Sequence, residues 1–126
     1  CSKNRSGIGV QGTSTARVEK NQIYSNKQSG LLVSDRARPT LTGNTSKLNT
    51  CGLSVSGTAE PLVTGNLLES NAQAGVNYAE QGGGTLARNQ IKGNKQVGIF
   101  RSATSRAKEQ GNTLSGNARE RFVAPR

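Results

Sequence analysis

Apolar and polar side chains alternate over short stretches of this chain, and the stretches recur at a fixed interval. Following a glycine come Ile8 and Val10, Leu31 and Val33, Leu53 and Val55, then Val76 and Tyr78. A second set is Val18, Leu41, Val63 and Leu86, and a third is Ile23, Leu68, Ile91 and Leu114. A period of two belongs to a strand with one buried face, not to a helix. Each unit therefore predicts three short strands, separated by turns rich in Gly, Asn, Ser and Pro. These aliphatics, with Ile99, are expected to point inward. Tyr78 and Phe122 fall in inward registers, leaving Tyr24 and Phe100 outside.

Asparagine sets the interval. Asn21, Asn44, Asn66, Asn89 and Asn112 are spaced 23, 22, 23 and 23 residues apart. Asn26, Asn49, Asn71, Asn94 and Asn117 follow each of them by five. Gly7, Gly30, Gly52, Gly75 and Gly98 form a third register, in which Arg121 takes the sixth place. A unit this small cannot bury its own face and must stack on its copies. Three strands per coil predict an all-β solenoid over residues 1–126, a single-stranded, three-sided parallel β-helix of five to six coils. At ~4.8 Å per coil the rod is about 25 Å long. The asparagines and glycines are read as scaffold. Asn tolerates a left-handed turn, and stacked carboxamides can form a ladder. Gly leaves room where a turn re-enters a strand.

The segments NQIYSNKQSGLLV, NLLESNAQAGVNY and NQIKGNKQVGIF resemble the right-handed parallel β-helix repeat family, in which N-x-I-x-x-N-x-x-x-G-I-x-V recurs. The resemblance covers nearly the whole chain. It implies a pectate-lyase-like fold, with the right-handed sense that parallel crossovers also favour. That family spans polysaccharide lyases, epimerases, periplasmic accessory proteins and interaction modules. Its shared motif is architectural, so it implies no catalytic residue for this chain.

The pattern breaks in three places. The third coil is a residue short between Asn49 and Gly52 and carries Ser46 where an aliphatic is due. The fifth places Arg101 and Glu109 in inward registers. The chain also starts inside a repeat, with no amphipathic capping helix at either end. A segment of a longer protein is the expectation, with Cys1 a boundary or a lipidated N-terminus. Uncapped coils would permit end-to-end self-association.

Composition narrows the chemistry. Only 24 of 126 residues are Leu, Ile, Val or Phe, and the formal net charge is +10. Those values would suggest disorder were the apolar residues not periodic. No His is present, which excludes His-based triads, dyads and metal sites, and two Cys cannot complete a four-thiolate centre. No metal or other cofactor is implied. No apolar run approaches the ~18 residues of a membrane span. Cys1 and Cys51 lie in different registers two coils apart, so no disulfide between them is expected. Cys51 is expected in a turn, packed against the body.

Polysaccharide-cleaving sites need clustered acids for calcium or for proton transfer. Asp35, Glu60 and Glu80 are the candidate catalytic edge, but Asp35 and Glu80 share a register two coils apart. Glu60 falls in the register of Arg38, one coil away, and is expected to pair with it. Lys47, Glu69 and Lys92 form an outward stack. The basic excess points to anionic partners. Arg88, Lys92, Lys95 and Lys47 are the candidate binding face, and the Arg36/Arg38 turn is a second. Few aromatics are available as base-stacking platforms, which argues against nucleic acid. The expected function is a non-catalytic scaffold or binding module that presents a rigid basic face to an acidic glycan or partner protein. The alternative is the scaffold part of a lyase, epimerase or hydrolase acting on acidic polysaccharide. An extracellular, periplasmic or cell-surface setting fits either.

Overall fold

The computed structural model describes residues 7–123. The readings made for Cys1, its boundary or lipid and its relation to Cys51, lie outside the described residues. Among those residues there are strands and turns but no helix. The first coil carries β1 (Ile8–Val10), β2 (Arg17–Glu19) and β3 (Gln22–Tyr24). The second carries β4 (Ser29–Val33), β5 (Thr40–Thr42) and β6 (Thr45–Lys47). The third has β7 (Cys51–Val55), β8 (Leu62–Thr64) and β9 (Leu67–Glu69). The fourth has β10 (Ala74–Tyr78), β11 (Thr85–Ala87) and β12 (Gln90–Lys92). The fifth has β13 (Val97–Arg101), β14 (Lys108–Gln110) and β15 (Thr113–Ser115), and β16 (Arg119–Val123) opens a sixth.

Each strand pairs in parallel with its counterparts one coil away. The first sheet is β1-β4-β7-β10-β13-β16. The second is β2-β5-β8-β11-β14, and the third is β3-β6-β9-β12-β15. The expected inward aliphatics are buried, apart from Ile8 and Leu114. Those two lie in the terminal strands of their sheets and are half-buried against the same core. Tyr78 is buried as expected. Ala37, Ala59 and Ala107 are also buried, at the corner between the first and second sheets.

Two columns of asparagine run through the other corners. In the first, the Asn44 Nδ2 donates to Asn66 Oδ1 at 3.0 Å and to the Val18 carbonyl at 2.8 Å. The Asn44 backbone N–H donates to the same Asn66 oxygen at 2.8 Å. Asn66 and Asn89 repeat this pattern. In the second column Asn26 bonds Asn49, Asn71 bonds Asn94 and Asn94 bonds Asn117, each amide to amide. Every carboxamide oxygen in these links accepts twice, so burial leaves no unpaired acceptor.

The asparagines themselves are not in the left-handed conformation expected of them. The residue before each one is. Lys20 and Arg88 precede first-column asparagines, and Ser25, Leu48 and Ser70 precede second-column ones, all at φ between +53° and +58°. The left-handed residue turns the chain and leaves its own side chain in solvent. The following Asn is thereby aimed into the corner.

The glycine register serves the second ladder through space. A Cβ on Gly75 would stand 2.8 Å from Asn94 Nδ2, 2.9 Å from the Gly98 carbonyl and 2.6 Å from Ile91. Gly52 meets Asn71 and Gly98 meets Asn117 in the same way. Each glycine is thus the seat of the next coil's amide. The sixth member of this register is Glu120, not Arg121, because Ile99 pairs with Arg121 and Phe100 with Phe122. The last turn, like that of the third coil, is a residue short, which moves Arg121 into an inward register. The same slip places Phe122 on the outer face, stacked on Phe100 at 5.4 Å.

Ser46 resolves the irregular third coil. Its buried hydroxyl donates to the Gly52 carbonyl at 2.8 Å and accepts from Asn49 Nδ2 at 3.0 Å. Asn49 Nδ2 takes this bond in place of one to Asn71, whose oxygen still accepts the Asn49 backbone N–H. Cys51 lies at the start of β7 and not in a turn, since the shortened turn brings it into pairing with Ser29 and Ala74. It is buried, and burial pushes its thiol pKa up.

Gly75→Ala should lower unfolding free energy by about 2 kcal/mol or more, because backbone and a bonded amide must both give way. Gly9→Ala, where a Cβ meets nothing within 4 Å, is the matched control. Urea denaturation of the two variants checks this, and equal midpoints would contradict the seating role.

Candidate functional site

The third sheet gathers the cations that the sequence singled out. Pairing of β6, β9 and β12 aligns Lys47, Glu69 and Lys92 in one outward column, with Tyr24 before them and Ser115 after. Lys92 Nζ lies 4.0 Å from the Glu69 carboxylate, an exposed pair worth a few tenths of a kcal/mol. Arg88 occupies the left-handed position at the corner leading into this sheet, and Lys95 the corner leaving it. Both side chains are exposed.

Two further cations join them. Lys20 shares the column of Arg88, three coils away, with Gly43 and Gly65 between. Lys27 stands in the column of Lys95, with Thr50 and Ala72 between. Neither was a sequence candidate, although each shares its partner's spacing from the following or preceding Asn. This face and its corners thus carry Lys20, Lys27, Lys47, Arg88, Lys92 and Lys95 against the single acid Glu69 among the described residues. Arg36 and Arg38 are exposed at a different corner, between the first and second sheets, and do not join this group.

The acids do not converge. Asp35 and Glu80 both sit in left-handed turn positions, at φ 62° and 55°, with Gly57 between them in the same column. The Asp35 Oδ2 accepts the Gly12 N–H at 3.0 Å, which ties that carboxylate to the preceding turn. Glu60 stands beside Arg38 in register, but they form no ion pair. The pairs among the described residues are Lys92–Glu69, Arg101–Glu109 and Arg121–Glu109. No group of three His, Cys, Asp or Glu residues able to hold a metal occurs among the described residues.

The last two pairs close one end of the core. Glu109 replaces the aliphatic of the Leu86 column, Arg101 follows Tyr78 and Arg121 follows Ile99, so all three occupy inward registers. Arg121 Nε donates to Glu109 Oε1 at 2.7 Å, and Arg101 Nη1 lies 3.5 Å from Glu109 Oε2. Arg101 also donates to the Ala107 carbonyl at 2.9 Å. The Tyr78 hydroxyl, buried beneath this cluster, has no hydrogen-bond partner. Burial pushes its phenol well above the ordinary value; the Glu109 carboxylate adds to that push and the Arg101 guanidinium opposes it.

A family model described as a right-handed β-helix region matches residues 1–123. No curated protein and no solved structure matches the chain. No helix among the described residues is long and apolar enough to cross a membrane.

Tyr78→Phe removes an orphaned hydroxyl and should raise stability by about 1 kcal/mol near neutral pH. The pH dependence has a fixed sign. In the folded chain this phenol stays protonated, whereas in the unfolded chain it ionises near pH 10, so its contribution is intact below that pH and lost above it. Denaturation from about pH 9 to 11 should therefore show a shallower loss in the Phe variant. A destabilised Phe variant would mean that the hydroxyl is bonded.

Proposed function

The chain belongs to the right-handed β-helix family, and we propose that it is a non-catalytic binding module whose third sheet holds an acidic glycan or the acidic surface of a partner protein. The observation that carries this reading is the placement of six cations in three columns of one face and its corners. Lys47 and Lys92 are two coils apart, about 9.6 Å along the rod. The pairs Lys20 and Arg88, and Lys27 and Lys95, are each three coils apart, about 14 Å. Spaced charges of this kind suit an extended polyanion better than a single small ion.

Rigidity supports the same reading. Each charged side chain projects from backbone already fixed by ladder hydrogen bonds, so binding orders little beyond the side chains themselves. Separation of the three candidate acids, one of them bonded to backbone, favours binding over turnover.

Binding to polygalacturonate and alginate, with dextran as the neutral control, tests the proposal. Affinity for the acidic polymers should fall steeply from 50 to 300 mM salt as screening shortens to a few ångströms. The double variant Arg88→Glu/Lys92→Glu should lose at least about tenfold, or ~1.4 kcal/mol. Arg36→Glu/Arg38→Glu should lose much less. Salt-insensitive binding, or loss only in the second variant, would move the site. Polymer cleavage that disappears in Asp35→Ala or Glu80→Ala would replace binding with catalysis.

A further inference from the structure

A groove of about 230 Å³ opens on the outer face of the first sheet, away from the Lys47/Lys92 column and beside the corner that carries Lys27 and Lys95. Its floor is Cys51, Ala74 and Val97, which occupy one column in three successive coils. Gln73 and Gln96 line one side, and Asn77 and Phe100 the other. The depression arises because Ala74 at the centre of the floor is short while Gln73, Gln96 and Phe100 around it are long.

The lining has two chemical characters. Phe100 stacks on Phe122 with rings 17° from parallel, and Phe122 belongs to the following coil. Phe122 covers one face of the Phe100 ring, so the other looks back along the rod towards Asn77 and the groove. The Arg119 guanidinium lies 5.6 Å from the Phe122 ring, which braces the platform from behind. Three carboxamides surround the ring, Asn77 next to it in its own column and Gln73 and Gln96 across the groove, and their side chains bond nothing among the described residues. The ladder asparagines of the same protein, by contrast, are committed on both oxygen and nitrogen. No lining residue is charged, in a chain of net charge +10.

An uncharged ligand with one apolar face and a rim of hydroxyls matches this lining. We propose that the groove is a subsite for one neutral pyranose unit of a glycan, its C–H face on Phe100 and its hydroxyls on Gln73, Gln96 and Asn77. A carboxamide both donates and accepts, so three of them can serve hydroxyls in either sense. The volume, below the ~300 Å³ lower bound of drug-sized sites, suits a single ring. This inference does not depend on the basic face.

The test is an NMR titration of the ¹⁵N-labelled Cys1→Ser chain with neutral hexasaccharides built from glucose, mannose, galactose, xylose or N-acetylglucosamine. At least one should shift the side-chain amide signals of Gln73, Gln96 and Asn77. The same sugar should slow alkylation of Cys51, the remaining thiol, on the groove floor. Phe100→Leu should weaken binding by about tenfold or more. Gln96→Ala, a change on the exposed wall, should weaken it as well, which guards against misfolding of the Phe100 variant. Lys92→Glu and 300 mM salt should leave the affinity unchanged, so a failure of the polyanion reading would not mimic a failure here. Silence of all five sugars overturns the proposal. So does binding that survives both Phe100→Leu and Gln96→Ala, or binding that salt abolishes.

Discussion

A primary amide buried at a turn must satisfy two donors and two acceptor sites, and in this fold most of its partners lie one coil away. That requirement organises the molecule. The amide oxygen takes both N–H groups of the preceding Asn, and the amide nitrogen reaches the following Asn and a carbonyl of the preceding coil. A coil that drifted along the axis would orphan both ends, at about 1–3 kcal/mol for each unpaired buried group. The glycine column completes the device, because the second ladder's amides lie where a Cβ would be. Asn and Gly are therefore one interaction seen from two coils.

Coil length and surface chemistry follow from this constraint. Both ladders fix the third sheet and its corners, so a change of one residue can be absorbed only elsewhere. The short turn before Cys51 lies just beyond the second ladder, and Ser46 supplies the hydrogen bonds that the altered turn disturbs. Because the registers hold, outward residues fall into straight columns, and a few cations suffice to make a continuous basic face. The same alignment juxtaposes Phe100 with Phe122 and sets Gln73 beside Gln96. At the far end the core turns polar, and Glu109 between Arg101 and Arg121 closes it with charge in place of aliphatic packing.

Much of this was legible in the sequence because the period is short and its markers are rare residue types. Alternation gave the strands, and the two asparagine registers gave the coil. Alanine carries too weak a signal to be read as core, so Ala37, Ala59 and Ala107 went unseen. The left-handed position escaped because it precedes the conspicuous residue and tolerates Lys, Ser, Leu or Arg. Counting residues misplaced Arg121 and Phe122 by one, since a shortened turn leaves no mark in composition. Four cations of the third sheet and its corners stood out in the sequence, but Lys20 and Lys27 lie 68 residues from Arg88 and Lys95. Their kinship appears only when columns are followed over three coils. The Arg38–Glu60 pair shows the opposite limit, because shared register brings backbones together without obliging side chains to meet.

The ladders are the central claim, and hydrogen exchange of individual side-chain carboxamides tests them most directly. In the ¹⁵N-labelled protein, the Nδ2 protons of Asn44, Asn66, Asn71, Asn89 and Asn94 should exchange only with global unfolding, as buried and doubly bonded donors do. Those of Asn77, Gln73 and Gln96 should exchange at nearly the free rate. Fast exchange at the five ladder positions, with the backbone strands still protected, would contradict the account.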